Sequence, residues 1–271
     1  MGIWKIESLQ ENDVDTLNSI KPDTWTSIAE IHQHYLATVN CHSIKVIINN
    51  QIVGIGTGIV FDKTGWLAHI IVSPQYQNRG IGSAIVHNRI EDLRNNHGCE
   101  VISLTATDQG YPVYKKIGFV EESLYSIMER HDIPVSSKTH SANIKKADPQ
   151  HYSSIYELDR KASGENRKEL LRRIIGQCIV HEENNRLTGF YLPGFGDGGV
   201  IAETEQAGIS LLSERIQEES RIFVPEENKA AYRFLFKNGY KEVKKIHRMI
   251  LGEKFPLNPQ LCYARIGGFA G

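Results

Sequence analysis

Cysteine is scarce in this chain of 271 residues: Cys41, Cys99, Cys178 and Cys262 lie far apart, and no C-x-x-C pair occurs. That argues against a disulfide-stapled scaffold and against a zinc knuckle, and it suits a reducing compartment. Long apolar runs are absent too, with no stretch near the roughly 18 residues a membrane-crossing helix needs. The opening segment MGIWKIESLQENDVD turns acidic before any apolar core develops, so it does not read as a secretory leader. Neither sign of charge dominates. Thirty-one Lys and Arg against 32 Asp and Glu leave a formal net charge of -1, and a global basic footprint for nucleic acid is missing. The expectation is a cytoplasmic protein without membrane or nucleic-acid partners. Nothing in the sequence specifies an oligomeric state.

What is present is core material: 40% of the residues are hydrophobic, and the length suits two ordinary domains. The stretch HDIPVSSKTHSAN, residues 131–143, is polar and lacks apolar periodicity, which makes it the expected linker between domains at 1–132 and 141–271. In the first module IWKIESL reads as a strand, ENDVDTLNSI as a short helix and residues 24–38 as a second helix. SIKVII, IVGIGTGIVF and WLAHIIV follow as antiparallel strands joined by turns at Asn49-Asn50 and DKTG. A helix starting near Gln77 carries Ile81, Ile85, Val86, Ile90 and Leu93 on one face. The strand EVISLTA, a short helix and the strand FVEESLYSIMER finish the module. The second half repeats this outline, so the expected fold class is mixed α+β. It comprises two modules, each a mostly antiparallel central sheet flanked by helices.

The segment SPQYQNRGIGSAI, residues 73–85, sets two glycines at a strand-to-helix junction, where glycine costs stability relative to alanine. Amides at a helix start have no intrahelical partners, and the helix dipole adds positive potential, so such a start can hold phosphate oxygens approaching close to glycine. Residues Gln77, Asn78, Arg79, Gly80, Ile81, Gly82 and Ser83 are the candidate cradle. A dinucleotide fingerprint would need glycine where Ile85 stands, and a Walker-type loop G-x-x-x-x-G-K-[ST] does not occur. The run instead matches Q/R-x-x-G-x-G/A after a strand ending in V-x-P. In this it resembles the coenzyme A pyrophosphate loop of the GCN5-related N-acetyltransferase (GNAT) superfamily.

Further features resemble that family. VYKKIGF, residues 113–119, is similar to its closing signature, a Tyr four residues before Gly-Phe. The resemblance gives Tyr114 the role of acid for the departing thiolate. The strand WLAHIIVSP corresponds to the family strand that bulges and splays so that its backbone pairs with the pantetheine arm, at Ile70, Ile71 and Val72 here. Acetyl-CoA is thus the implied donor and no metal is called for. Many relatives carry a Glu base in this strand. Here the strand contains no acid, and His69 is its single titratable side chain, hence the candidate base or, if it packs on a helix, a core histidine. Asp62 and Asp108 are weaker rivals with turn or capping roles. His32 and His34, at i and i+2, point apart and read as surface residues. Trp25, Ile28, Ile31 and Tyr35 read as core packing.

In the second half, aligning NGY (238–240) with IGF (117–119) sets Leu235 where Tyr114 stands, and residues 141–271 contain no Q/R-x-x-G-x-G run. GFGDGG, residues 194–199, reads as a loop between strands. The whole chain resembles tandem members of the superfamily with a degenerate second repeat, and YELDRKASGENRKELLRRI (156–174) resembles their second-domain helical signature. Asp159, Arg160, Glu165 and Arg167 are candidates for facing an acceptor, against the usual solvated role of helix charges. The expected activity is acetyl transfer to the amine of a small molecule. The alternatives are a non-catalytic acyl-CoA sensor and a peptide or protein N-acetyltransferase.

Overall fold

Strand β1 (Lys5–Ser8) pairs antiparallel with β2 (Cys41–Ile48), and between them lie the expected short helix, of 3-10 type (Glu11–Ser19), and α1 (Ala29–Leu36). The structure, a computed structural model, describes residues 4–21, 27–131 and 142–270. Trp25 and all but the ends of the expected linker lie outside the described residues. Contacts divide the chain into two compact units, residues 1–104 with 251–253, and residues 105–250 with 254–271.

In the first unit the sheet runs β1-β2-β3-β4-β5, with β3 (Gln51–Phe61), β4 (Thr64–Val72) and β5 (Val101–Ala106). The turns follow the sequence. Asn49 and Asn50 hold φ of 48° and 61°, and Asp62 holds 63°, left-handed values that short polar side chains tolerate. One face of the sheet is covered by α2 (Ile81–Asn95), whose Ile81, Ile85, Val86, Ile90 and Leu93 are all buried, as their spacing predicts. That helix approaches closely because β3 presents Gly56: a Cβ there would sit 2.3 Å from Ile85 Cγ2. The other face gathers Leu9, Leu17, Ile20 and Ile28 against Ile55 and Ile71. Each such fully buried aliphatic side chain contributes roughly 1.5–3 kcal/mol.

The second unit opens with α3 (Tyr111–Ile117) and β6 (Val120–Glu129). After β7 (Ile144–Lys146) come α4 (Tyr152–Ser163), α5 (Lys168–Leu171), β8 (Ile179–Glu183), β9 (Arg186–Tyr191) and β10 (Val200–Ala202). Then follow α6 (Glu205–Arg215), β11 (Arg221–Pro225), α7 (Lys229–Lys237), β12 (Lys241–Leu251) and β13 (Cys262–Ala264). The order of elements repeats that of the first half, down to the hairpin turn: Asn184 and Asn185 take φ of 51° and 59°, as Asn49 and Asn50 do. GFGDGG is the β9–β10 connection, a loop between strands.

Strand β6 departs from the sequence reading. Expected to finish the first module, it pairs antiparallel with β11 on one edge and β12 on the other. The reason is burial: Met128 joins Leu211, Ile222 and Leu235 in the second unit's core. Chain order does not dictate which edge a strand fills. Both units are mixed α/β, with antiparallel-dominated sheets flanked by helices.

Candidate active site

Strand β4 is regular up to Ala68 and then bulges. Its ladder to β3 pairs Thr57 with Ala68 but Ile55 with Ile71, so Gly56 alone faces the two residues His69 and Ile70. His69 takes up the extra residue at φ 48°. The parallel ladder from β4 to β5 covers Thr64–Leu67 against Val101–Leu104 and goes no further, so the β5-side edge beyond Leu67 has no ladder partner among the described residues. A strand edge in that state can accept an extended ligand as an added strand. Ile70, Ile71 and Val72 lie along it.

The bulge turns His69 onto α1. Its Nδ1 lies 3.0 Å from the Tyr35 hydroxyl, and the rings of His32, Tyr35 and His69 form a triangle with centroids 5.2–5.5 Å apart. Burial, and then the neighbouring His32, push the His69 imidazole down to about 3. It is neutral throughout the physiological range. His32, expected at the surface, is fully buried, its Nδ1 2.7 Å from the Ile28 carbonyl oxygen, and burial lowers its pKa as well. The missed signal is the i, i+3 spacing of His32 and Tyr35, which sets both on the face of α1 turned to β4.

Downstream, the Gln77 amide Nε2 donates to the Val72 carbonyl at 3.0 Å, tying the loop to the end of β4. Asn78 (φ 60°) and Gly80 (φ 82°) are left-handed, and Gly80 stands at the N-cap of α2 with no side chain to cap it. The first intrahelical bond nearby runs from the Ala84 N–H to the Gly80 carbonyl at 3.0 Å, so the amides of Ile81, Gly82 and Ser83 precede the ladder. A Cβ at Gly80 would meet nothing within 4 Å, and one at Gly82 only Val72 Cγ2, at 3.7 Å. The protein's own packing does not require glycine at 82. Arg79 folds back on its turn, donating to the Gln75 carbonyl at 3.0 Å with its guanidinium 5.1 Å from the Tyr76 ring.

Tyr114 belongs to the second unit, on α3. The helix ends at Gly118 (φ 110°), where the Phe119 N–H reaches back to the Tyr114 carbonyl at 3.1 Å. The phenol is half-buried, edge-on to Phe119 with centroids 5.8 Å apart, and burial raises its pKa to about 12. The second repeat closes its last helix with the same geometry: Gly239 has φ 83°, and the Tyr240 N–H reaches the Leu235 carbonyl at 3.1 Å. Leu235 is the counterpart of Tyr114, and it is a fully buried core residue.

Several of the remaining candidates have structural roles, while Arg160 is exposed. Asp62 sits in the β3–β4 turn, and Asp108 lies 3.2 Å from Lys244 and 3.3 Å from His247, whose hydrogen bonds hold its carboxyl below the usual range. Arg167 clamps Asp159 through two bonds of 2.6 and 3.0 Å, both side chains buried, and also donates to the Ala270 carbonyl. A paired, buried salt bridge of this kind does not present itself to an acceptor. Glu165 is buried as well.

Comparison with known proteins fits this geometry. Residues 7–119 match the acetyltransferase (GNAT) family and residues 155–264 a second acetyltransferase (GNAT) domain. The chain is 24% identical over 224 residues to the uncharacterized N-acetyltransferase YitH of Bacillus subtilis, covering 78% of each protein. A candidate acetyltransferase from Pyrococcus horikoshii shares the fold over 99% of this chain and 96% of its own, with TM-score 0.86 at 22% identity. A GCN5-related N-acetyltransferase from Sphaerobacter thermophilus matches with TM-score 0.63 at 13% identity, over 94% and 98% of the two chains. A glucosamine N-acetyltransferase region of a fungal multi-domain β-N-acetylglucosaminidase matches 93% of this chain and 38% of its own, with TM-score 0.65 at 15% identity. The repeated order of elements thus has its explanation in descent: the chain belongs to the GNAT family of acyltransferases, as a tandem two-domain member.

Proposed function

We propose that the chain transfers an acetyl group from acetyl-CoA to the amine of a small-molecule acceptor, by direct attack within a ternary complex. One observation carries this reading: the ladder of β4 parts from β5 after Leu67, at a bulge, and the same strand leads into a helix start with no capping side chain. Acetyl-CoA, when bound, supplies an acyl group activated as a thioester. The backbone of Ile70, Ile71 and Val72 would pair with its extended arm, and the amides of Gln77 to Ser83 would hold its diphosphate. The space beside Gly80 and Gly82 fits such a group, since among the described residues only Val72 Cγ2, at 3.7 Å from a Cβ at Gly82, comes near.

Amide groups of β4 polarise the thioester carbonyl as negative charge grows on its oxygen. Tyr114 is assigned the departing thiolate on the strength of its motif. A phenol raised to about 12 stays protonated across the physiological range, the state an acid needs. His69 is assigned the proton of the attacking amine. Held down to about 3, it is in the accepting form across the physiological range, but it is a weak base that passes a proton onward, and the Tyr35 hydroxyl lies 3.0 Å from its Nδ1. The preference for a small acceptor takes support from the fold shared with the glucosamine N-acetyltransferase region.

The test is release of free coenzyme A from acetyl-CoA across a panel of amino sugars, polyamines, amino acids and peptides. Turnover above background hydrolysis with a small amine is expected. Tight acetyl-CoA binding with no transfer to any of them would make the chain a sensor, and turnover on peptides alone would make it a peptide acetyltransferase.

A further inference from the structure

In the second repeat, strand β10 corresponds to β4 and β11 to β5, but these two strands do not pair with each other. They fall in different sheets. Between them runs the C-terminal segment. Strand β13 pairs antiparallel with the edge of β10, Ala264 against Val200 and Cys262 against Ile201. On its other side the Arg265 N–H donates to the Phe223 carbonyl of β11 at 3.0 Å. A piece of the protein's own backbone therefore occupies the gap that opens beyond Leu67 in the first repeat.

Side chains reinforce the seat. The Asn228 amide donates to the carbonyls of Gln260 and Cys262 at 2.8 and 3.0 Å, and Arg265 Nε donates to the Asp197 carboxylate at 2.6 Å. Tyr263 and Ala264 belong to the same core as Leu211 and Leu235. The first turn of the corresponding helix is capped and packed by the chain itself, although Thr204, Glu205 and Gln206 stay exposed. Thr204 caps α6 by accepting from the Ala207 N–H at 3.2 Å, and the Tyr263 ring lies on Gly208 so closely that a Cβ there would stand 2.2 Å from it. In the first repeat, among the described residues, neither the edge of β4 beyond Leu67 has a ladder partner nor the start of α2 a capping side chain.

We propose that residues 262–266 are a tethered, internal occupant of the second repeat's donor cleft: a strand standing where an extended thioester arm would lie, with Tyr263 packed on Gly208 in the first turn of α6. The second repeat is closed to acyl-CoA, is ordered without it, and leaves the molecule with one donor site. The proposal rests on the donor-site reading above only for the role of the matching cleft in the first repeat.

Hydrogen exchange of the full chain, with and without coenzyme A, tests both separately. Amides of 200–202 and 207–208 should exchange slowly without ligand and be unchanged by coenzyme A, while those of 70–72 and 81–83 slow at least ~10-fold. In Ala264→Pro, which removes a ladder donor from β13, exchange at 200–202 should speed up at least ~10-fold with residues 41–61 unchanged. Should that variant fail to fold, Tyr263→Ala must speed exchange at 207–208 in its place. Slowing of 200–202 or 207–208 by coenzyme A in the unaltered chain overturns the proposal, as does a β10 that stays protected once β13 is disrupted. If coenzyme A slows neither region, the donor-site reading fails, and the two variants still decide whether the segment holds the cleft shut.

Discussion

The helix after the central strand begins in two ways in this molecule. Helix α2 starts from a left-handed glycine that has no side chain to cap it, whereas α6 starts from Thr204, whose hydroxyl accepts from the Ala207 N–H at 3.2 Å. The strands before them differ in the same sense. Strand β4 has nine residues, a bulge and an edge that outlasts its ladder to β5; β10 has three residues and is paired on both edges, by β9 and β13. Yet the Asn-Asn hairpin turns and the glycine-ended last helices are alike in both repeats. On the proposed reading, the fold is kept in the second repeat while the donor cleft is not. Retention needs only turn chemistry and apolar periodicity, and the cleft needs backbone groups that the chain declines to satisfy itself.

The largest break in the comparison is expected at the paired positions Tyr114 and Leu235. Tyr114→Phe should lower kcat ~10²-fold or more while the Kd for acetyl-CoA stays near that of the parent, read from steady-state kinetics beside calorimetry. Full activity in that variant removes the phenol from the mechanism. The reciprocal Leu235→Tyr should supply no second activity and should destabilise by about 1–3 kcal/mol through overpacking, measured by chemical denaturation.

The two helix-start glycines sharpen the contrast next. Gly82→Val meets little but Val72, so the melting temperature should move slightly while acetyl-CoA affinity falls by ~10-fold or more, about 1.4 kcal/mol. Gly208→Val drives a side chain into the Tyr263 ring and should lose about 1–3 kcal/mol of stability with donor affinity unchanged. If Gly82→Val binds the donor as the parent does, the loop is not the diphosphate cradle.

A pH titration probes the bulge. The imidazole of His69 has a folded pKa near 3 against an ordinary value of 6.5, so between those limits the unfolded chain binds the extra proton and stability falls as pH falls. By about pH 5.5 this group should have cost about 1.4 kcal/mol relative to pH 8. His69→Asn keeps a residue type that accepts left-handed φ and should flatten that limb of the denaturation profile. An unchanged acid limb would mean that His69 titrates normally. The smallest effect belongs to the cap: Thr204→Ala should lower stability by about 1 kcal/mol without touching donor binding.

Much of this was legible beforehand. The buried face of α2, the turns at Asn49-Asn50 and Asp62, the loop character of GFGDGG and the correspondence of Leu235 with Tyr114 follow from local pattern, because periodicity and turn chemistry act over a few residues. Other features were not. His32 reads as a polar surface residue by type, but the burial of an imidazole depends on which strand its helix covers. Strand β6 is a plain alternating strand in sequence, and nothing local says that it joins β11 and β12. The role of CYA, residues 262–264, is invisible in the same way, since three small residues become a strand only where β10 offers an edge.

The sequence by itself determined the repeated order of elements, the left-handed turns and the glycine start of α2, all properties of neighbours along the chain. Tertiary structure alone decided that the β5-side edge of β4 beyond Leu67 has no ladder partner among the described residues while β10 is paired on both edges. Backbone hydrogen-bonding groups are the same at every residue, so only the fold distributes partners among them.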